Sequence, residues 1–212
     1  GGPSTSLEMS QCINALANTF NADIIVDDLG FFDQAFFEDD FIAEAANNAA
    51  AAGVFYTSAA GNSALTHYQG DYVDSGDGFG SHLISPGNSV FDIPASGNVR
   101  VFLEWTNRFD GTASDDYDLC LQGEDALTCA AENFPQDGVG GDDWPWEGRL
   151  LDCTGGCSVQ VRLITGSPQT LELYVLDIGT LSDPADQVSA DSIFGHPAVA
   201  GALAAAAVRW ST

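Results

Sequence analysis

The chain has 212 residues and a formal net charge of −26, with five Arg (Arg100, Arg108, Arg149, Arg162, Arg209) and no Lys. That charge excludes nucleic acid and anionic membranes as partners. At 45% hydrophobic and 10% aromatic residues the chain is no disordered acidic tail but can hold one sizeable core or two small ones. The longest apolar run, Pro197 to Val208, is about 12 residues, short of a membrane helix.

In chain order, Leu7 to Leu16 reads as a helix, with Met9, Cys12, Ile13 and Leu16 on one face, so Cys12 is expected as a buried free thiol. Gly1-Gly2-Pro3 before it reads as an added or processed end, and no signal peptide is visible. Ala22 to Val26 is an apolar strand running into Asp27-Asp28-Leu29-Gly30. Phe31 to Asp39 is an acidic loop with four phenylalanines, which either lines a cleft or caps the sheet edge. Asp40 to Ala52 is an alanine-rich helix closed by Gly53, and Val54 to Thr57 a buried strand running into Ser58-Ala59-Ala60-Gly61-Asn62. Strand, long connection with a helix, strand is a βαβ unit with parallel strands, and ligands bind such sheets at the strands' carboxyl ends. Asp28-Leu29-Gly30 and Ala59 to Asn62 therefore share one rim.

From Gly70 to about Ala190 helical periodicity disappears. Ser89 to Pro94, Asn98 to Trp105, Tyr117 to Leu121, Ser158 to Ile164 and Thr170 to Leu176 read as short strands of an antiparallel β-sandwich. Cys120 and Cys129 flank a short loop, and Cys153 and Cys157 span a Gly-Gly turn, a spacing that points to two local disulfides in an oxidising compartment. Zinc is the competing reading, but it needs a Cys-x2-Cys spacing or a nearby His. Calcium has oxygen-rich candidates in Asp71, Asp74 and Asp77 and in Asp137, Asp142 and Asp143, against which stands their reading as solvated loops in a chain with 31 acidic residues. No other cofactor is expected.

The two rim segments resemble the subtilisin-like serine proteases, the subtilases. In that family a strand ending in Ser-Leu-Gly and one ending in Ala-Ala-Gly-Asn wall the primary specificity pocket, and the Asn amide donates to the oxyanion. The resemblance implies Asn62 as oxyanion donor and Asp28, Leu29, Gly30, Ala59, Ala60 and Gly61 as pocket walls, with Asp28 replacing the family's Ser. The phenylalanine-rich loop after Val26-Asp27-Asp28-Leu29-Gly30 is similar to a bacterial branch. In it a prepeptidase C-terminal type sandwich is inserted after the oxyanion Asn, with an Asp-rich segment of the form Asp-x-Asp-Leu, here Asp115-Asp116-Tyr117-Asp118-Leu119. Phe194-Gly195-His196 then resembles the return to the parallel sheet, with Leu203 to Val208 as its next strand and His196 a structural residue at the junction.

The implied fold is α/β plus β: a partial parallel, Rossmann-like subtilase sheet from residues 1–69 and 190–212, with an inserted jelly-roll-like sandwich over 70–189. The family's triad segments are absent. Ser192 is followed by His-Pro where the nucleophile motif has Pro-His, and one residue of slip at a helix start turns a side chain by about 100°. The leading expectation is a central fragment of a secreted, extracellular endopeptidase, inactive alone, whose partners are a peptide or protein substrate in the complete enzyme. The remaining parts of the protease, or a second copy, would pair with open sheet edges at Ala22 to Val26 or Leu203 to Val208. A second reading is a non-catalytic binding or structural surface protein built on the sandwich, with Trp144 and Trp146 as contact residues. A third, a hydrolase using Ser192 and His196, is disfavoured by Pro197, which opposes helix at His196.

Overall fold

The first helix forms because its N-terminus is capped by side chains and one stripe is apolar. In the computed structural model, which describes residues 2–133, 135, 136, 138 and 143–207, α1 spans Ser6–Asn18. The Thr5 hydroxyl accepts from the Glu8 N–H, the Glu8 carboxylate accepts from the Ser4 N–H, and Met9 and Ile13 are buried one turn apart. Helix α2, Phe41–Ala51, starts on Asp40, whose Oδ1 accepts from the N–H groups of Ile42 and Ala43. It stops at Gly53, where φ is +96° and the N–H bonds to the Ala50 carbonyl. These helices and the strands β1 (Ile24–Asp27), β2 (Phe55–Ala59) and β10 (Ala202–Ala205) belong to one compact unit, residues 1–62 with 193–212. The sheet order is β1-β2-β10, all parallel, with Ile25 opposite Tyr56 and Asp27 opposite Ser58.

The βαβ reading therefore holds, with one correction. Val54 to Thr57 is expected as a buried strand, but only one face of the sheet is covered. Ile25 and Tyr56 point to the helices and are buried, whereas Ile24, Val26, Phe55 and Leu203 on the other face are 61%, 71%, 54% and 55% exposed. Val208, the expected end of the last strand, lies outside the described residues. Cys12 is free but half-buried rather than buried, because the helix turns Met9 and Ile13 more directly onto the sheet.

In the second unit, residues 63–192, the paired strands run antiparallel. It contains β3 (His67–Asp71), β4 (Phe91–Ile93), β5 (Asn98–Trp105), β6 (Asp116–Leu121), a short helix α3 (Ala126–Ala131), β7 (Trp146–Asp152), β8 (Cys157–Thr165) and β9 (Thr170–Leu176). They form the sheets β3-β9-β5-β7 and β4-β8-β6. Val99, Val101, Leu103 and Trp105 face Tyr117, Leu119, Val159 and Val161 in one core with Leu171, Leu173 and Val175. The two expected disulfides, Cys120–Cys129 and Cys153–Cys157, are formed. Three elements have no counterpart among the expected ones: β3, β7 and α3. In β7 the residues opposite the core positions Leu103 and Val101 are Glu147, which is buried, and Arg149, which is half-buried, so the alternation of hydropathy is lost where two charged residues are bonded to other segments. Glu147 accepts from Gln136, and Arg149 donates to Glu124 and to the Leu119 carbonyl.

The acidic segment after β5 has a structural job. Asp115 Oδ1 accepts from the Ser167 N–H at 2.9 Å, and Oδ2 accepts from Asn107 at 2.9 Å and Gln169 at 2.6 Å, tying the entry of β6 to the β8–β9 turn. Gly166 in that turn has φ +110°, and a Cβ there would lie 2.7 Å from Asp115 Cα. Gly166→Ala is therefore expected to cost about 3 kcal/mol, from backbone strain and a clash with fixed backbone together. Urea unfolding gives the value, and a change under about 1 kcal/mol would contradict the clash.

Candidate functional site

Parallel pairing of Asp27 with Ser58 brings the carboxyl ends of β1 and β2 out side by side. Asp28, Leu29 and Gly30 leave β1 there, all exposed, and Ala60, Gly61 and Asn62 leave β2, with the Ala60 N–H bonded to the Ala205 carbonyl at the end of β10. Gly61 has φ +73°, the left-handed turn that sends Asn62 outward, and Asn62 is exposed. Ala59 and Ala60 are half-buried. Asn62 is thus an exposed amide residue at the sheet's rim, next to the small residues Ala59, Ala60 and Gly61.

One layer below the rim lies a buried polar cluster with no counterpart among the expected site residues. Asp27 Oδ2 accepts from the Tyr56 hydroxyl at 2.5 Å and Oδ1 from the Ser58 hydroxyl at 2.5 Å, while His196 Nε2 lies 3.1 Å from Oδ1. Burial raises the Asp27 carboxyl, but hydrogen bonds from His196, Ser58 and Tyr56 outweigh it and hold the group below the usual carboxylate range. Burial first, then the Asp27 carboxylate, push the Tyr56 phenol upward. The signal for this cluster was present as phase: Asp27 and Ser58 each fall two residues after a helix-facing apolar side chain, Ile25 and Tyr56. A polar group at an inward position needs partners.

Serine, histidine and aspartate meet here, but not as a catalytic triad. Both Asp27 and Ser58, the latter at 3.4 Å, approach the same ring nitrogen of His196, and Nδ1 has no partner among the described residues. A base that relays a proton from a serine must use its two nitrogens on two different groups. Ser58 is also 1% exposed and its proton is committed to a carboxylate. The cluster is a clamp that joins β1, β2 and the His196–Ala198 turn.

The remaining candidates separate. Ser192 donates its hydroxyl to the Ser189 carbonyl. The phenylalanine loop is anchored: the rings of Phe32 and Phe36 pack on Phe194 at 4.9 and 4.4 Å between centroids. Beside them Gly195, at φ +62°, leaves room for the Gln34 amide, which a Cβ would meet at 2.3 Å. Trp144 packs on Phe109, and Trp146 on Phe102. The carboxylates of Asp74 and Asp77 accept turn N–H groups from Gly76 and Phe79, and Asp71 accepts from Thr170. Asp143 is buried, its carbonyl accepting from the Ala113 N–H, while Asp137 and Asp142 lie outside the described residues. Among the described residues, Asp118, Cys120 and Cys129 have the spacing of metal ligands, but the two sulfurs are bonded to each other and offer no thiolate.

Comparison with known proteins adds little. No protein-family model matches the chain, and no curated protein matches it. Among solved structures, CspB protease of Clostridium perfringens is similar at 13% identity and a TM-score of 0.40, over 86% of this chain and 42% of that one. The chain thus spans less than half the length of that neighbour.

Proposed function

We propose that this chain is the central part of a secreted subtilisin-like serine endopeptidase, inactive by itself. Asn62 donates its side-chain amide to the oxyanion, and Asp28, Leu29, Gly30, Ala59, Ala60 and Gly61 wall the pocket for the substrate side chain. The observation that carries this reading is the uncovered face of the parallel sheet. Sheets of this kind are covered on both faces, yet here Ile24, Val26, Phe55 and Leu203 stand open to water while α1 and α2 cover the opposite side. Among the described residues, β1 and β10 also each have a free edge. The polypeptide that supplies the triad would supply this cover. The same incompleteness accounts for an oxyanion donor without a nucleophile, since the amide acts only on charge that develops when a serine attacks a carbonyl.

Fluorophosphonate labelling of the purified chain, read by intact mass and peptide mapping, is expected to give no adduct. A stoichiometric adduct on Ser192 would overturn the reading. In a polypeptide that also carries the Asp, His and Ser segments, Asn62→Ala is expected to lower kcat by about 10²–10³ with little change in KM, the magnitude known for this donor in subtilisin.

A further inference from the structure

We propose that a pocket on the β-sandwich, between the Gly78-Phe79-Gly80 turn and α3, is a binding subsite for a neutral pyranose residue of a glycan. The pocket has a volume of about 320 Å³, room for one sugar ring. It lies on the outer face of the sheet β4-β8-β6, where Asp118 of β6 sits directly opposite Arg162 of β8. The proposal does not depend on the protease reading.

The walls are fixed before any ligand arrives. The Cys120–Cys129 disulfide pins α3 to β6, and the Asn133 side chain bonds both the N–H and the carbonyl of Leu119 as well as the Cys129 carbonyl. Across the pocket, the Gly80 carbonyl accepts from the Leu163 N–H and from the Tyr72 hydroxyl, and the Asp77 carboxylate holds the Phe79 N–H. A preformed site avoids the ordering cost of binding.

The floor makes two polar demands. Asp118 is 4% exposed, and its carboxylate lies 3.7 Å from the Cys129 sulfur, which carries no proton to donate in a disulfide. Arg162 is 5% exposed; its terminal nitrogens donate to the Glu124 carbonyl and to Gln160, but its Nε–H has no acceptor among the described residues. Buried polar groups are seldom left in this state without an occupant. At the rim, the Phe79 ring is 61% exposed, with the Arg162 guanidinium 5.6 Å from its centroid, and Ile164 is 48% exposed.

These demands select the ligand. A cation would be repelled by Arg162, and an anion by Asp118, by neighbouring Asp116 and by a chain of net charge −26. The occupant is therefore neutral and presents both a donor and an acceptor on a flat apolar body. Two adjacent hydroxyls on a sugar ring donate to Asp118 and accept from Arg162, while the ring's C–H face lies on Phe79. A phenol has a single oxygen for the two partners.

The test is an amide NMR titration of the isotope-labelled chain with methyl β-D-glucopyranoside, methyl α-D-mannopyranoside and methyl β-D-galactopyranoside, and with N-acetyltyrosinamide. At least one glycoside is expected to shift the amides of Phe79, Gly80, Asp118 and Arg162 saturably. Phe79→Ala and Asp118→Asn are expected to weaken that binding at least tenfold. Phe79 is exposed, so its variant keeps the fold and carries the test if Asp118→Asn does not. Silence towards all three glycosides, a response to N-acetyltyrosinamide alone, or unchanged binding in Phe79→Ala would each overturn the proposal.

Discussion

Asp27→Ala is expected to destabilise the parallel-sheet unit by about 3–5 kcal/mol, the cost of removing one partner from a buried charged network. The substitution leaves the Tyr56 hydroxyl, the Ser58 hydroxyl and the His196 Nε2 without the carboxylate that now engages all three, and each of those residues is 1% exposed or less. An orphaned buried donor costs about 1–3 kcal/mol, so two or three of them account for the total. Asp28→Ala, one residue on and exposed at the rim, is expected to change stability by less than about 0.5 kcal/mol. The pH dependence follows from the sign of the Asp27 shift. Its folded pKa lies below the ordinary carboxylate value, so its stabilisation is complete above that value and drains away as pH falls through the folded one. The gap between wild type and Asp27→Ala should therefore narrow in strong acid. Denaturant titrations at neutral and acid pH measure both effects, and a variant within about 1 kcal/mol of wild type at pH 7 would show that the cluster is not a clamp.

His82 should make the sandwich sensitive to mild acid in a way its carboxylates oppose. Its Nδ1 accepts from the Val73 N–H at 3.1 Å, so the ring proton resides on Nε2, 2.7 Å from the Tyr68 hydroxyl. Burial lowers its pKa from 6.5 to about 4. The unfolded chain therefore takes up a proton between about pH 6.5 and 4 that the folded chain refuses, and stability falls as pH drops through that window. About 2.5 units at 1.36 kcal/mol per unit makes the full loss about 3 kcal/mol. Asp118 and Asp186 work in the other direction. Burial, with Asp116 beside the first and Asp183 beside the second, raises each to about 6, so the folded chain binds their protons first and gains stability as pH falls from about 6 towards 4. Comparing urea unfolding at pH 7 and pH 4.5 isolates the histidine. His82→Gln should lose about 2–3 kcal/mol less than wild type over that interval, and identical pH dependence would contradict the assignment.

Sequence reading reached furthest where one face of an element is apolar and its partners are close along the chain. β5 and β9 have the expected limits, Asn98–Trp105 and Thr170–Leu176, because their inward residues alternate without interruption. α2 has its acidic cap at Asp40 and its glycine stop at Gly53, and the disulfides close loops of only 9 and 4 residues. Reading failed where the inward residue is charged. β7 was invisible because Glu147 and Arg149 occupy core-facing positions whose partners, Gln136 and Glu124, lie 11 and 25 residues away. The parallel βαβ pattern was enough to place Asp28 to Gly30 and Ala59 to Asn62 at one rim. Only the fold could show that Asp27 beneath it is held from 29, 31 and 169 residues away by Tyr56, Ser58 and His196. Local sequence records what a residue is and which phase of a strand it occupies. Whether an inward polar group finds a partner, and whether an apolar face finds a cover, depends on segments distant in the chain. The clamp at Asp27 and the bare face at Ile24, Val26, Phe55 and Leu203 were therefore decided by tertiary structure alone.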